Sequence, residues 1–245
     1  MKALILAAGY GTRLYALVRD TPKALLEINK KPLLGHIFDR VENIAGLNEV
    51  LLVTNDKFYA AFGRWAKGQK SFRHPITIIN DKTKTPEDRL GSIGDIDFVL
   101  KHAKVEDDLL VIGSDNLFDF NIEEYVRFAR GRAPAVTVGL YDIHDRAEAT
   151  KFGVVELGQG GKIISFEEKP QAPKSSLVAM CFYHLPEKSL GLIGQYLLES
   201  NKADKAGDYI SWLCRKKDVY GFQFTGKWYD IGSVEAYHEA QKNFN

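Results

Sequence analysis

Lys2-Ala3-Leu4-Ile5-Leu6-Ala7-Ala8-Gly9-Tyr10-Gly11-Thr12-Arg13-Leu14 opens the chain, and Thr21-Pro22-Lys23-Ala24-Leu25-Leu26-Glu27-Ile28 and then Lys31-Pro32 follow it. The apolar run over 3–8 reads as a strand buried on both faces. It ends in small residues, two glycines, a hydroxyl and an arginine, with a lysine ten positions after that arginine. Glycines let backbone N–H groups approach phosphate oxygens, and consecutive N–H groups form a concavity for anions. Arg13 offers a forked donor for pyrophosphate and Lys23 a compact charge for one phosphoryl group. A Gly-x-Gly after a strand also serves as a plain tight turn, so the glycines alone leave both readings open. Two familiar motifs are excluded. The dinucleotide fingerprint needs a third glycine where this chain has Leu14, and the Walker loop needs Gly-Lys-Ser/Thr where it has Gly11-Thr12-Arg13.

Composition narrows the class. The 245 residues are 45% hydrophobic and 27% charged, enough for one large α/β domain with a sizeable core. A formal net charge of +1 gives no reason to expect nucleic acid or an acidic membrane as a partner, so any basic patch must be local. Cys181 and Cys214 are too few for a disulfide framework, and no Cys-x-x-Cys pair points to zinc. Both are expected reduced and buried in a cytoplasmic protein. Met1 leads directly into a strand, so no signal peptide is expected, and no apolar run approaches the ~18 residues of a membrane span.

Periodicity orders the elements. Strands are predicted over 3–8, 50–54, 76–79 and 109–112, and helices over 33–44, 57–67 and 95–103. The first helix carries Leu34, Ile37, Phe38 and Val41 on one face. This alternation predicts a three-layer α/β fold with a mostly parallel sheet. After Asp115 the pattern changes to a helix over 122–130 and strand-like runs over 135–141, 153–157, 163–166 and 177–182, with a turn at 158–161. Helices over 186–198, 208–215 and 234–242 and a strand over 219–224 complete the chain. The expectation is a single domain, 1–245, with one lobe over about 1–116 and a mixed or antiparallel extension over about 117–245.

The compound pattern Leu6-Ala7-Ala8-Gly9-x-Gly11-Thr12-Arg13-Leu14, Thr21-Pro22-Lys23-Ala24-Leu25, Lys31-Pro32-Leu33 resembles the sugar-phosphate nucleotidyltransferases. These are the pyrophosphorylases that make nucleotide sugars, such as the glucose-1-phosphate thymidylyltransferases. Gly113-Ser114-Asp115-Asn116, Glu167-Glu168-Lys169-Pro170 and Trp228-Tyr229-Asp230-Ile231-Gly232 follow in that family's order, so the resemblance runs from about Met1 to about Tyr237. It implies a Rossmann-like α/β/α fold with a sugar-binding extension. Related chains often carry an appended helical region or β-helix, and neither is expected here. Members are often dimers or tetramers, so a homo-oligomer is an expectation from the resemblance.

The family reaction is attack by a sugar-1-phosphate oxygen on the α-phosphorus of an NTP, with pyrophosphate leaving. Catalysis is then positioning plus charge stabilisation. The resemblance implies that Ala7, Ala8, Gly9, Gly11 and Thr12 cradle the nucleotide. It gives Arg13 the pyrophosphate and Lys23 the approach of the two anions. Mg²⁺ is the implied cofactor, held by Asp115 and Asp230 between the substrates. From the residues alone, Asp115 also reads as a helix N-cap before Leu117, and Asp230 as a turn residue before Gly232. Many relatives read Gly-Asp-Asn, so Ser114 makes Asp115 the equivalent carboxylate on a strand one residue longer. The sugar half falls to Asn116, Gly153, Glu168 and Lys169, of which Glu168 and Lys169 also read as a solvated pair at a strand end. Asn80, Thr85 and Gly91 are candidates for the base, with a pyrimidine favoured.

Three other readings share part of this pattern. A cytidylyltransferase acting on phosphocholine or another non-sugar phosphate shares the N-terminal signature. Glu168-Lys169-Pro170 and Phe152-Gly153 favour a sugar instead. A non-catalytic regulatory homologue would be expected to lose Arg13, Lys23, Asp115 or Asp230, and none is lost. A glycosyltransferase would carry Asp-x-Asp at this strand end, whereas Gly113 and Leu117 flank Asp115 at two residues.

Overall fold

The computed structural model describes residues 1–14, 21–200 and 204–244, apart from the Arg13 side chain. The chain begins with β1 (Lys2–Leu6), β2 (Glu27–Ile28), β3 (Lys31–Pro32), α1 (Leu33–Val41), β4 (Glu49–Thr54), α2 (Asp56–Gly68) and β5 (Ile76–Asn80). Next come α3 (Gly91–His102), β6 (Leu109–Gly113), β7 (Asn116–Phe118), α4 (Glu123–Arg130), β8 (Val136–Asp142), β9 (Gly153–Leu157) and β10 (Ile163–Glu168). The last elements are β11 (Leu177–Leu185), α5 (Gly191–Ser200), α6 (Ala206–Cys214), β12 (Val219–Phe224), β13 (Trp228–Asp230) and α7 (Val234–Asn243). No described helix is long and apolar enough to cross a membrane.

Packing divides the chain into two compact units. Unit 1 holds Met1–Leu90, Ile112–Ile122 and Gly226–Asn245, and unit 2 holds Gly91–Val111 and Glu123–Thr225. These are not the two sequential halves expected from the pattern, because each unit is discontinuous. Strand β6 contributes Leu109-Leu110-Val111 to unit 2 and Ile112-Gly113 to unit 1.

In unit 1, β4 lies between β1 and β5 with both pairings parallel, in register from Lys2↔Glu49 and from Val50↔Ile76. Ala3, Leu4 and Ile5 are fully buried, as their continuous apolar run requires. The strand stops at Leu6, two residues short of the expected end, although Ala7 N–H still donates to Val53 O at 2.9 Å. Helix α1 buries Leu33, Leu34, Ile37, Phe38 and Val41, each contributing about 1.5–3 kcal/mol by removal from water. The predicted extension to residue 44 is absent. Helix α2 is capped by Asn55, whose side-chain oxygen accepts from Phe58 N–H at 3.1 Å.

The end of the chain returns to this unit. Strand β13 pairs antiparallel with β7, setting Trp228 opposite Phe118 and Asp230 opposite Asn116. Ile28, Leu33, Leu117, Ile231, Ala240 and Phe244 form one buried apolar cluster there. The helix-cap reading of Asp115 is therefore overturned: the residue stands in the turn between β6 and β7.

In unit 2, β8 is flanked by β11 antiparallel and by β12 parallel, and β9 runs antiparallel to both β10 and β11. This is the mixed extension expected. Tyr125 of α4 is fully buried, meets Phe182 edge-on at 5.1 Å and donates its hydroxyl to Thr137 O at 2.8 Å. The helix predicted over 186–198 is a 3-10 turn, Glu187–Ser189, followed by α5. Neither Cys181 nor Cys214 is in a disulfide, and both are half-buried rather than buried as expected. Burial still pushes the Cys214 thiol up to about 11. Together these elements form an α/β fold with a mostly parallel central sheet and flanking helices.

Candidate active site

The glycine loop is fixed at its entry. Ser114 N–H donates to Leu6 O at 3.1 Å, and Asn55 Nδ2 donates to Ala8 O at 2.8 Å. Asn55 thus caps α2 with one end of its amide and holds the loop with the other. Ala7 and Ala8 are buried. A Cβ on Gly9 would meet nothing within 4 Å, so that position faces open space. Gly11 has φ 64°, the left-handed region that favours glycine, and its carbonyl accepts from Leu14 N–H at 2.9 Å to close the turn Thr12–Leu14. Gly11, Thr12, Leu14, Lys23 and Gly232 line a cavity of about 150 Å³. The sequence predicted Gly11, Thr12 and Lys23 for one site, and the fold brings them together. The role expected of the Arg13 side chain falls outside the described residues.

Lys23 lies on a short 3-10 turn after Pro22, anchored by the buried Ala24. Its Nζ donates to Asp115 Oδ2 at 2.9 Å, across 92 residues of sequence. The side chains retain 20% and 34% exposure, so both remain within reach of a ligand. Asp230 reaches the same corner through the backbone: Ile231 N–H donates to Asp115 O at 2.9 Å, next to the Asp230↔Asn116 pair. Gly232 lies beside the Asp230 carboxylate, where a Cβ would stand at ordinary contact distance, 3.5 Å, from both oxygens. Among the described residues no three His, Cys, Asp or Glu side chains converge as a metal cluster. Two carboxylates with ligand phosphates are a donor set that Mg²⁺ accepts.

Asn116 has a scaffold role in this structure. It is buried, Nδ2 donates to Gly113 O at 3.0 Å and Oδ1 accepts from Trp228 Nε1 at 2.7 Å. Trp228 therefore ties β13 to β7 and sets where Asp230 falls. Asn80 is similarly engaged: Nδ2 donates to Asp56 Oδ1 at 2.7 Å, and Oδ1 accepts from Lys82 N–H at 2.8 Å. Thr85 N–H donates to Asp88 Oδ1 at 2.9 Å. Tyr10 hydroxyl donates to Thr83 Oγ1 at 3.1 Å, which joins the glycine loop to this segment. The helix predicted over 95–103 begins at Gly91, whose φ of 77° starts α3.

In unit 2, Glu168 ends β10 and Gly153 starts β9, directly opposite in register. A Cβ on Gly153 would stand 3.3 Å from Glu168 Oε2, and one on Gly207 would stand 1.9 Å from the same oxygen. The missing Cβ of Gly207 thus gives the carboxylate its place, whereas at Gly153 the Phe166 ring, 2.5 Å from a Cβ, is the nearer neighbour. Burial pushes its pKa above the usual carboxylate range; Lys169 draws it back and Asp208 pushes it further up. Lys169 is exposed, with φ 49°, and its N–H donates to Phe152 O at 2.9 Å. Glu167 pairs with Lys174 at 2.8 Å instead. Gly207 and Asp208 were not singled out in the sequence. Their only signal was a helix start, and spacing does not show which strand that helix meets. Asn55 carried a readable one, an amide just before the helix predicted over 57–67.

Known proteins resemble this chain over nearly its whole length. The chain is 29% identical over 247 residues to the bifunctional protein GlmU of Methanocaldococcus jannaschii, covering 99% of this chain and 54% of that one. It therefore spans about half the length of the GlmU relatives it matches. It is 26% identical over 245 residues to the glucose-1-phosphate thymidylyltransferase of Neisseria meningitidis serogroup A, covering 98% and 81% of the two chains. A crystal structure of UDP-glucose pyrophosphorylase complexed with UDP-glucose superposes with a TM-score of 0.80 at 24% identity, covering 99% and 97%. The model of the nucleotidyl transferase family matches residues 2–245, and the chain belongs to that family.

Proposed function

We propose that the chain transfers a nucleotidyl group from an NTP, with a pyrimidine base favoured, to a sugar 1-phosphate. The observation that carries this reading is the corner of unit 1 where Lys23 meets Asp115 at 2.9 Å, with Asp230 locked alongside and the glycine loop lining the same cavity. The named relatives support the substrate class: one acts on glucose 1-phosphate by its name, and a structural neighbour holds UDP-glucose.

In this reading a sugar-phosphate oxygen forms the new bond to the α-phosphorus. The bond to the bridging oxygen breaks, and pyrophosphate departs with the electron pair. The glycine-loop N–H groups face the phosphates, and Arg13 is assigned to the β and γ groups. Lys23 offsets the charge of two anions drawn together, and its present partner Asp115 shows that a charged group can be held there. Asp115 and Asp230 would hold Mg²⁺, which supplies positive charge to the phosphoryl oxygens. Glu168 accepts from sugar hydroxyls, and Lys169 neutralises the sugar phosphate. The cytoplasm is the compartment this reading implies.

Asp115→Asn and Asp230→Asn test it. Each is expected to lower kcat in Mg²⁺ by roughly 100-fold or more, while NTP affinity changes far less. Near wild-type turnover in either variant would contradict the assignment.

A further inference from the structure

We propose that unit 2 carries a second small-molecule site, a cavity of about 570 Å³ at the starts of β8 and β12, which takes an organic anion with an apolar or ring-shaped body. Its volume lies within the ~300–1,000 Å³ of ordinary ligand pockets. Val136, Leu192 and Leu213 supply apolar lining, and Arg132, Lys188 and Lys217 supply three cations. The acidic residue of the lining, Asp218, is already paired with Lys162 at 2.6 Å. The local balance is therefore strongly positive in a chain whose net charge is only +1.

Arg132 is the central observation. Its guanidinium lies 4.8 Å from the Tyr220 ring and 5.0 Å from the Phe128 ring, and Nη2 donates to Gly160 O at 2.8 Å. An exposed arginine ordinarily gives up rotamer freedom when it binds. This one is already held between two rings and a carbonyl, so its remaining donors form a pre-set fork for phosphate or carboxylate. Apolar lining next to that fork suits a ligand with a hydrocarbon or aromatic part, and bare phosphate leaves that part of the cavity unused. The site is separate from Glu168. Lys162, which bridges to Tyr220, precedes β10, and Glu168 ends it. At about 3.3 Å per residue the two lie about 20 Å apart along one strand.

Isothermal titration of the full chain with 1-naphthyl phosphate tests the site. One saturable event is expected. The double variant Lys188→Glu, Lys217→Glu should weaken it by roughly ten-fold or more, as loss of two charge-assisted contacts requires. Leu192→Trp, which fills the cavity without changing charge, should also weaken it, and circular dichroism checks that both variants fold. Lys23→Ala should leave it unchanged, and inorganic phosphate should bind far more weakly. The proposal is overturned if the probe fails to saturate in the millimolar range, or if binding survives both cavity variants. Loss of binding in Lys23→Ala would assign the probe to the glycine loop instead. Equal affinity for inorganic phosphate would remove the apolar part of the claim.

Discussion

Glu168 lies against the backbone of Gly207, with its Oε2 only 1.9 Å from where a Cβ would be, so the residue under it decides whether the carboxylate can stay. Gly207→Ala gives a sharp prediction. Alanine suits a helix better than glycine by up to about 1 kcal/mol, so stability should hold or rise slightly. The carboxylate must nevertheless move, and the KM for sugar phosphate should rise about ten-fold with the NTP KM nearly unchanged. Thermal melting and steady-state kinetics on the same preparation separate the two effects. An unchanged sugar KM would remove Glu168 from the sugar side. Lys169→Ala should show the same split through loss of a phosphate contact, and an equal rise in both KM values would argue against its role. The sequence was most readable where a residue acts through its own type: Gly11 and Lys23 line one cavity, and Lys23 meets Asp115. It was least readable where a side chain has internal duties. Asn80 and Asn116 look like ligand amides in the sequence, and both are bonded within the protein.

Among the elements, the link between α2 and the glycine loop rests on one amide. Asn55→Ala removes the α2 cap and the bond to Ala8 O together, at a cost of about 2–3 kcal/mol. Chemical denaturation should show that loss, and the NTP KM should rise because the loop entry is released. Wild-type nucleotide affinity would mean that the loop is fixed without Asn55. The α5–α6 pair has its own hub. Glu199 accepts from Trp212 Nε1 and from Lys216 Nζ, each at 2.9 Å or less, and from Gln195. The Lys216 hydrogen bond, with those of Trp212 and Gln195, lowers its pKa to about 2. A depressed carboxylate stabilises the fold above its unfolded value near 4.5, and that contribution fades as pH falls toward 2. Glu199→Gln should therefore lower the Tm at pH 7 and make little difference near pH 2, and a Tm gap independent of pH would rule out the ionic contribution. Long periodic elements such as α1, α2, β4 and β12 were legible because their burial repeats over several residues. Strands β7 and β13 are three residues each, too short for any period, and only their pairing places Asp230 beside Asp115.

For the whole molecule, the family signature and the alternation of elements were enough to expect the α/β fold. The division into units was not visible, because Gly226–Asn245 joins unit 1 through a pairing and an apolar cluster that link distant segments. The reaction proposed for this chain is nucleotidyl transfer to a sugar 1-phosphate. Pyrophosphate release in Mg²⁺, measured over dTTP, UTP, CTP, GTP and ATP against several sugar 1-phosphates and phosphocholine, tests it most directly. Release is expected with a pyrimidine NTP and a sugar 1-phosphate together, and with neither alone. Release with phosphocholine only, or none with any pair from folded protein that binds NTP, would contradict it.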